Sequence, residues 1–209
     1  MILEAKHNFF LYPFFQKYAL LKIKSNFHEV IINTNVDDKG RPVLAISNHV
    51  SWWDGFWVEL VNLKLFKKKF FFMMLEEQLR KFWFFNYVGG YSVTKKSKSI
   101  IESINYTRNV LSDNKNFVLI FPQGKIQSVY NQSISFEKGI ERIIEGLENQ
   151  IQIVFIANLV DYFSNPKPSL FIYLDEYKSD SFSFDEIQIA YSNFFSKCID
   201  SQKQISTEP

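Results

Sequence analysis

The chain has 209 residues, of which 46% are hydrophobic and 22% charged, and its formal net charge is +2. These values fit one globular domain with a sizeable core, and so small a net charge does not favour nucleic-acid binding. Cys198 is the single cysteine, so an internal disulfide is excluded. No stretch approaches the about 20 consecutive apolar residues that a spanning helix needs, so we expect a chain that does not cross a bilayer.

Aromatic residues make up 18% of the chain, and many lie near its start. Residues 8–21 combine phenylalanines and leucines with Pro13, Gln16 and Lys17, which is typical of a segment at the membrane interface. Packing on the protein's own core is the alternative. The lysines and phenylalanines of 67–72 also suit an anionic membrane surface or a phosphate-bearing ligand, and a solvated lysine cluster at the end of a strand is the alternative. We therefore expect an interfacial segment over 1–29, a domain over 30–202 and a flexible tail over 203–209.

Strand and helix patterns alternate along residues 30–202. Strands are predicted at 30–35, 43–47, 69–75, 91–94, 117–121, 151–159 and 170–174. Helices are predicted after Ser51, at 76–87, 97–112 and 139–147, and from Phe184 onward. This order predicts an α/β fold, a single domain with a mainly parallel central sheet flanked by helices. Ligands of such sheets bind beyond the carboxyl ends of the strands.

His49 and Asp54 lie at such an end, directly after the strand at 43–47. With His49 ahead of the helix and Asp54 in its first turn, the two side chains can meet. A carboxylate on one ring nitrogen would orient the imidazole and raise the basicity of the other nitrogen, as a general base requires. The alternative is structural, with Asp54 completing a capping box begun by Ser51. A metal site is not indicated, because His7 and His28 lack ligand spacing with His49.

Three blocks in this chain resemble the glycerolipid acyltransferase family, which includes the lysophosphatidic acid acyltransferases. Residues 47–54 (SNHVSWWD) resemble its Asn-His-x-x-x-x-Asp block. Residues 89–95 (GGYSVTK) resemble its Gly-x-Ile-x-Ile-x-Arg block, and 121–124 (FPQG) its Phe-Pro-Glu-Gly block. The blocks occur in the family's order, and the resemblance extends over residues 43–159.

The resemblance implies a glycerol-phosphate acyltransferase-like fold and direct acyl transfer without an acyl-enzyme. His49, oriented by Asp54, would deprotonate an acceptor hydroxyl that attacks acyl-CoA or acyl carrier protein, with no other cofactor. Backbone N–H groups near the first block or at Gly124 would stabilise the developing oxyanion. The implied partners are a lipid acceptor, the acyl donor and the inner face of the cell membrane, where the protein would be peripheral. The substrate-binding residues implied are Asn48, Lys95, Lys96, Phe121, Pro122, Gln123, Gly124 and Lys125.

The chain departs from the family pattern at three positions. Gln123 replaces glutamate, Lys95 replaces arginine, and Ile126 stands where an arginine usually follows the third block. These changes weaken the case for a glycerol-phosphate acceptor. We therefore hypothesise an acceptor such as a non-phosphate lipid, a glycolipid or a pigment hydroxyl. Two other functions stay open, a non-catalytic lipid-binding homologue and a thioesterase in which His49 activates water.

Overall fold

A computed structural model describes residues 2–94, 97–179 and 182–205 of the chain. The strands are β1 (Val30–Thr34), β2 (Val43–Ser47), β3 (Lys69–Leu75), β4 (Gly90–Val93), β5 (Asn116–Ile120), β6 (Gln152–Asp161) and β7 (Ser169–Tyr177). The α-helices are α1 (Leu11–Asn26), α2 (Asp54–Val61), α3 (Glu76–Lys81), α4 (Ser97–Val110), α5 (Ile140–Ile144) and α6 (Phe184–Lys203). A π-helical turn (Asn62–Phe66) follows α2, and a 3₁₀ helix (Trp83–Tyr87) follows α3.

The strands form one sheet in the order β1-β7-β6-β2-β5-β3-β4. Every neighbouring pair is parallel except β6 with β7, which is antiparallel. The predicted α/β domain with a mainly parallel sheet is therefore confirmed. Because β6, β2, β5, β3 and β4 run in the same direction, their carboxyl ends lie along one edge of the sheet.

Helices cover both faces of the sheet, which explains the continuous apolar runs in its central strands. Leu44 and Ile46 of β2 pack into a core on the side of α4, α5 and α6. Val43 and Ala45, which alternate with them, pack into a second core on the side of α2. All residues of β2 and β5 are buried, so these two strands form a rigid centre from which the loops at the carboxyl edge extend.

Two helices are shorter than the sequence patterns indicate. The helix predicted at 76–87 ends at Lys81, and a 3₁₀ turn follows because the backbone leaves helical geometry at Phe82. A 3₁₀ turn brings residues three apart onto one side, and Phe82 and Phe85 pack in the same apolar cluster. The helix predicted at 139–147 covers only α5.

The N-terminal segment packs along the edge strand and then over the sheet. Leu3 exchanges two hydrogen bonds with Ser92 of β4, and the Asn8 N–H donates to the Tyr87 carbonyl oxygen. Helix α1 then presents Ala19 and Ile23 to the protein. By contrast, Phe9, Phe10 and Phe14 are 84%, 78% and 60% exposed. Among the described residues, no helix has the length and apolarity needed to cross a membrane.

Candidate active site

The site begins at the carboxyl end of β2, where Asn48 anchors the chain. Its side-chain amide donates to the Asn158 carbonyl oxygen over 2.9 Å, and its Oδ1 accepts from the Asn158 N–H over 2.8 Å. The amide of Asn158 in turn donates to the hydroxyl of Ser47. Asn48 is fully buried, so the structure places it beneath the site, where it fixes the direction in which the next residue leaves the strand.

His49 and Asp54 are in contact. The His49 Nδ1 lies 2.8 Å from Oδ2 of Asp54. That same oxygen accepts the N–H groups of Val50 and Ser51 over 2.7 and 2.9 Å, so the turn between strand and helix closes around the carboxylate. Because a carboxylate accepts at Nδ1, this nitrogen carries the ring hydrogen and Nε2 keeps its lone pair. The contact fixes the orientation of the imidazole and leaves Nε2 as the ring nitrogen that Asp54 does not contact.

Part of the capping box expected for Ser51 is present. Asp54 does accept the Ser51 N–H, but the Ser51 hydroxyl accepts from Trp53 and the helix begins at Asp54. The structural and the catalytic interpretations of Asp54 are therefore compatible, since one carboxylate oxygen serves the turn and the imidazole together. A carboxylate in the first helical turn is also favoured by the helix dipole.

Asp54 is completely buried, and burial raises the pKa of its carboxyl above the ordinary value. The hydrogen bonds from His49, Ser51 and Val50 act in the opposite direction. Its second oxygen, Oδ1, is buried and has no hydrogen-bond partner in the described part of the chain. All three donors thus converge on the oxygen that faces the imidazole.

The loop after β5 lies directly against His49. The ring of Phe121 stacks on the imidazole with centroids 4.0 Å apart and an angle of 11° between the planes. Oε1 of Gln123 accepts the His49 N–H over 2.6 Å. Gly124 has a φ of +62°, a left-handed conformation that suits glycine at this sharp turn. The first and third blocks of the sequence therefore meet, as their positions after two neighbouring strands predict.

An apolar cleft of about 480 Å³ opens beside His49. Its walls are one face of α1 and one face of α2, and its floor includes the carboxyl-terminal half of β3. Phe121, Gly124, Lys125 and Ile126 line the end near His49. The α1 face consists of Tyr12, Phe15, Gln16 and Ala19, and the α2 side consists of Trp52, Gly55, Phe56 and Glu59.

Glu59 is the one acidic residue among the described residues that line this cleft. Its carboxyl accepts from Gln16 over 2.7 Å and from Asn62 over 3.0 Å, and the Tyr12 hydroxyl lies 3.5 Å away. The side chain is 6% exposed, and burial raises its pKa to about 7. The hydrogen bond between Gln16 and Glu59 joins α1 to α2. It lies further along α2 than Asp54, the residue that contacts the imidazole.

The remaining predicted site residues have different positions. Lys125 is exposed at the cleft, whereas Pro122 and Gln123 are buried behind it. Lys95 and Lys96 lie outside the described residues. Lys68, from the basic run at 67–69, forms an ion pair with Asp38 over 3.1 Å and is 7% exposed, so its charge is already compensated.

Sequence reasoning missed four residues that shape the site: Gln16, Glu59, Gln127 and Asn158. Glu59 had one available signal, a charged residue on the apolar helix that follows Asp54. The others are polar residues in unremarkable contexts, and only their partners make them informative. Within residues 2–94, 97–179 and 182–205, no group of three or more His, Cys, Asp or Glu side chains could hold a metal ion.

Comparisons with known proteins identify the family and the fold of the chain. The acyltransferase family model matches residues 23–157 of the 209-residue chain. The fold is similar to the crystal structure of the 1-acyl-sn-glycerophosphate (LPA) acyltransferase PlsC from Thermotoga maritima. That likeness has a TM-score of 0.62 at 15% sequence identity, over 92% of this chain and 80% of that chain. None of the curated proteins compared with the chain matches it.

At this identity the structural likeness establishes the fold, while the family match, which covers more than half of the chain, establishes the family. The resemblance inferred from the three sequence blocks is thereby confirmed. The chain belongs to the acyltransferase family and has the fold of a PlsC-like glycerolipid acyltransferase.

Proposed function

We propose that the protein is an O-acyltransferase that moves a fatty acyl group from acyl-CoA or acyl carrier protein to the hydroxyl of a lipid. The observation that carries this proposal is the 2.8 Å contact between His49 Nδ1 and Asp54, at one end of an apolar cleft. The acyl thioester is the co-substrate, and the reaction as written needs no other cofactor.

The reaction proceeds by direct attack. The acceptor oxygen forms a bond to the thioester carbonyl carbon while its proton moves to Nε2 of His49, giving a tetrahedral intermediate. When this intermediate collapses, the carbon–sulfur bond breaks, and the proton passes from His49 to the leaving thiolate. Asp54 holds the imidazole and stabilises its protonated form. General-base help of this kind contributes about 10²–10⁴ in rate.

The oxyanion of the intermediate needs N–H donors that are not already engaged. The N–H groups of His49, Val50 and Ser51 donate to Gln123 or Asp54, and that of Gly124 donates to the Phe121 carbonyl. The donors first expected from the sequence are therefore occupied. We assign the role to the backbone N–H groups of Lys125 and Ile126, which line the cleft and have no acceptor among the described residues.

The apolar cleft suits the acyl chain, because its lining is mostly aromatic and aliphatic from His49 to Glu59. The acceptor would enter from the exposed side, where Lys125 is the cationic residue among the described lining residues and Ile126 replaces the arginine of the family pattern. Among the described lining residues the positive charge is therefore that of one lysine, which is a point charge and not the two-pronged donor that arginine offers to a phosphate. These features support an acceptor without a phosphomonoester, such as a neutral lipid, a glycolipid or a pigment hydroxyl.

We further propose that the protein binds peripherally to the inner face of the cell membrane through an aromatic surface. Phe9, Phe10 and Phe14 are exposed on the N-terminal segment, and Trp83 is 62% exposed nearby. Phe14 contacts Phe15, and the ring of Phe15 stacks on that of Phe84 beside Trp83, so these rings form one continuous surface. Large rings of this kind suit the headgroup boundary of a bilayer.

The decisive experiment measures acyl transfer by purified protein with acyl-CoA and acyl carrier protein thioesters and a panel of lipid acceptors, followed by mass spectrometry. His49→Ala should abolish ester formation while the thermal unfolding midpoint stays close to that of the original chain. Ester formation that persists in this variant would overturn the role of His49. Free fatty acid released without an acceptor would identify a thioesterase, and binding without turnover would identify a lipid-binding protein.

The acceptor panel tests the second part of the proposal. Lysophosphatidic acid and the matched monoacylglycerol differ only in the phosphate, so their kcat/KM values isolate its contribution. We expect the phosphate to confer no advantage. A strong preference for lysophosphatidic acid would show instead that the basic residues present suffice for a glycerol-phosphate acceptor.

A further inference from the structure

The main chain of His49 is held from both sides by a single loop. Its N–H donates to Oε1 of Gln123 over 2.6 Å. Its carbonyl oxygen accepts the N–H of Gln127 over 2.9 Å. The loop therefore fixes the peptide groups on either side of the residue that carries the imidazole, in addition to the contact that Asp54 makes with the ring.

The two glutamines are also bonded to each other. Nε2 of Gln123 donates to Oε1 of Gln127 over 2.7 Å, and Asn131 donates to the same oxygen over 2.9 Å. This arrangement sets the orientation of the Gln123 amide. If that amide were reversed, its NH₂ group would face the His49 N–H, and two donors would meet in a buried position. The His49 N–H thus requires the oxygen of Gln123, and Oε1 of Gln127, held by Asn131, accepts the hydrogen at the other end of the same amide.

We propose that Gln127 is a positioning residue of the active site, which acts on His49 through Gln123 and ties it to the loop that lines the cleft. Gly124, Lys125 and Ile126 lie between the two glutamines and form part of the cleft wall. Because Gln123 and Gln127 both bond the main chain of His49, hydrogen bonds connect His49 to this part of the cleft lining. The inference rests on the proposed acyl transfer, in which His49 takes the proton and the wall receives the substrates.

The same contacts explain why a glutamine at position 123 suits this chain, where the family pattern has glutamate. A carboxylate at 123 would still accept the His49 N–H, but it could donate nothing to Gln127. The Gln127 amide would then have to turn over and lose the bond from Asn131. Gln123 and Gln127 therefore form a matched pair of one donor and one acceptor, and this complementarity predicts that their replacement by two glutamates is non-additive.

The test compares Gln127→Leu, Gln123→Glu, Gln127→Glu and the double variant Q123E/Q127E. Each single glutamate variant keeps one amide that can donate to the new carboxylate, so each should retain activity within about tenfold. Gln127→Leu removes the acceptor and should lower kcat by about tenfold or more, with KM for the acyl donor changing less. Gln127→Glu is the conservative rescue of that variant.

The double variant places two carboxylates where the amide pair stood, with no hydrogen between them. Its kcat near neutral pH should fall at least about tenfold below the product of the two single effects. Lowering the pH should restore part of this loss relative to the single variants, because one shared proton replaces the amide hydrogen. Gln150→Leu is the matched control, since the side chain of this exposed glutamine bonds the Gly146 carbonyl and no other group in the described part of the chain.

A second readout does not depend on turnover. The chain has 3 histidines, so selective ¹⁵N-histidine labelling gives a small set of backbone signals in which His49 can be assigned by substitution. Gln127→Leu should speed hydrogen exchange of the His49 N–H by about tenfold or more and leave that of His28, which donates to Pro168, unchanged. Unchanged exchange at His49, or additive effects in the double variant, would overturn the positioning role. A third outcome separates the two proposals. If exchange of the His49 N–H is faster in Gln127→Leu but neither the unsubstituted protein nor any variant transfers acyl groups, the proposed function is wrong and the contact between the loop and His49 is still supported.

Discussion

Glu59 makes the stability of this protein depend on pH in a direction opposite to that of most carboxylates. Its pKa is raised from 4.5 to about 7 because the side chain is buried between α1 and α2. Between these two values the folded protein keeps the proton and the unfolded chain releases it. The folded state binds more protons, so stability falls as pH rises through this window. At roughly 1.4 kcal/mol per pH unit, this rise of the Glu59 pKa corresponds to a change of about 3 kcal/mol in the free energy of unfolding.

His7 acts in the opposite direction over nearly the same range. Burial lowers the pKa of its imidazole from 6.5 to about 4, while its Nε2 donates to the Phe70 carbonyl. Between pH 6.5 and about 4, His7 is protonated in the unfolded chain but not in the folded protein. The unfolded chain binds more protons in this range, so the contribution of His7 to stability increases with pH. The two groups oppose each other between about pH 4.5 and 6.5, and together they flatten the profile of the original chain.

Glu59→Gln replaces the carboxyl with an amide that does not titrate, so the contribution of Glu59 to the pH dependence is lost and that of His7 is kept. Urea unfolding followed by tryptophan fluorescence, with Trp57 buried as a reporter, gives the free energy of unfolding from pH 4.5 to 8 at constant salt. The free energy of unfolding of the variant minus that of the original protein should increase by about 3 kcal/mol from pH 4.5 to pH 8. Subtracting the two profiles cancels the other titrating groups. Parallel profiles would refute the raised pKa and with it the account of Glu59 as a desolvated acid in the cleft.

Three further predictions concern the site, the fold and the membrane. Asp54→Asn should lower kcat by about 10²-fold or more, because the amide no longer stabilises protonated His49, and an acyl-transfer assay in which the variant keeps most of its activity would contradict this. Gly89→Ala should prevent stable folding, because the φ of Gly89 is +108° and a Cβ there would lie 2.1 Å from the carbonyl oxygen of Phe70. The control is Gly55→Ala, where a Cβ would have no atom within 4 Å, and the thermal unfolding midpoint of this variant should be equal to or higher than that of the original chain. The double variant F10S/F14S should weaken binding to anionic vesicles by about tenfold or more in a sedimentation assay, while its unfolding free energy stays within about 0.5 kcal/mol; equal vesicle binding would exclude the aromatic surface.

The sheet could be predicted from sequence because its strands carry their own signal. β2 and β5 are covered on both faces, so nearly all of their residues are apolar in an unbroken run, which is a local pattern. The contact between His49 and Asp54 was also predictable. Both residues lie in one short turn. Because only four residues stand between them, few backbone conformations keep the two side chains apart. Their closeness to Phe121 follows from the parallel pairing of β2 with β5, since neighbouring parallel strands end at the same edge.

The contacts that hold and shape the site were beyond the reach of sequence patterns. Asn48 bonds Asn158, 110 positions away, and Gln16 bonds Glu59 across two helices. A hydrogen bond between polar side chains leaves no periodicity in the sequence, and each partner by itself resembles an ordinary surface residue. The same holds for Gln123, whose identity became meaningful only beside Gln127.

The sequence by itself determined the class of the fold, the positions of the strands and the residue pair at the centre of the site, because local periodicity and short-range spacing encode these features. Tertiary structure alone decided which polar groups face the cleft, which lie beneath it, and which backbone N–H groups at the cleft have no acceptor among the described residues. Those outcomes depend on how α1, α2 and the loop after β5 pack against one another, and the free energy of that packing resides in contacts between residues far apart in the chain.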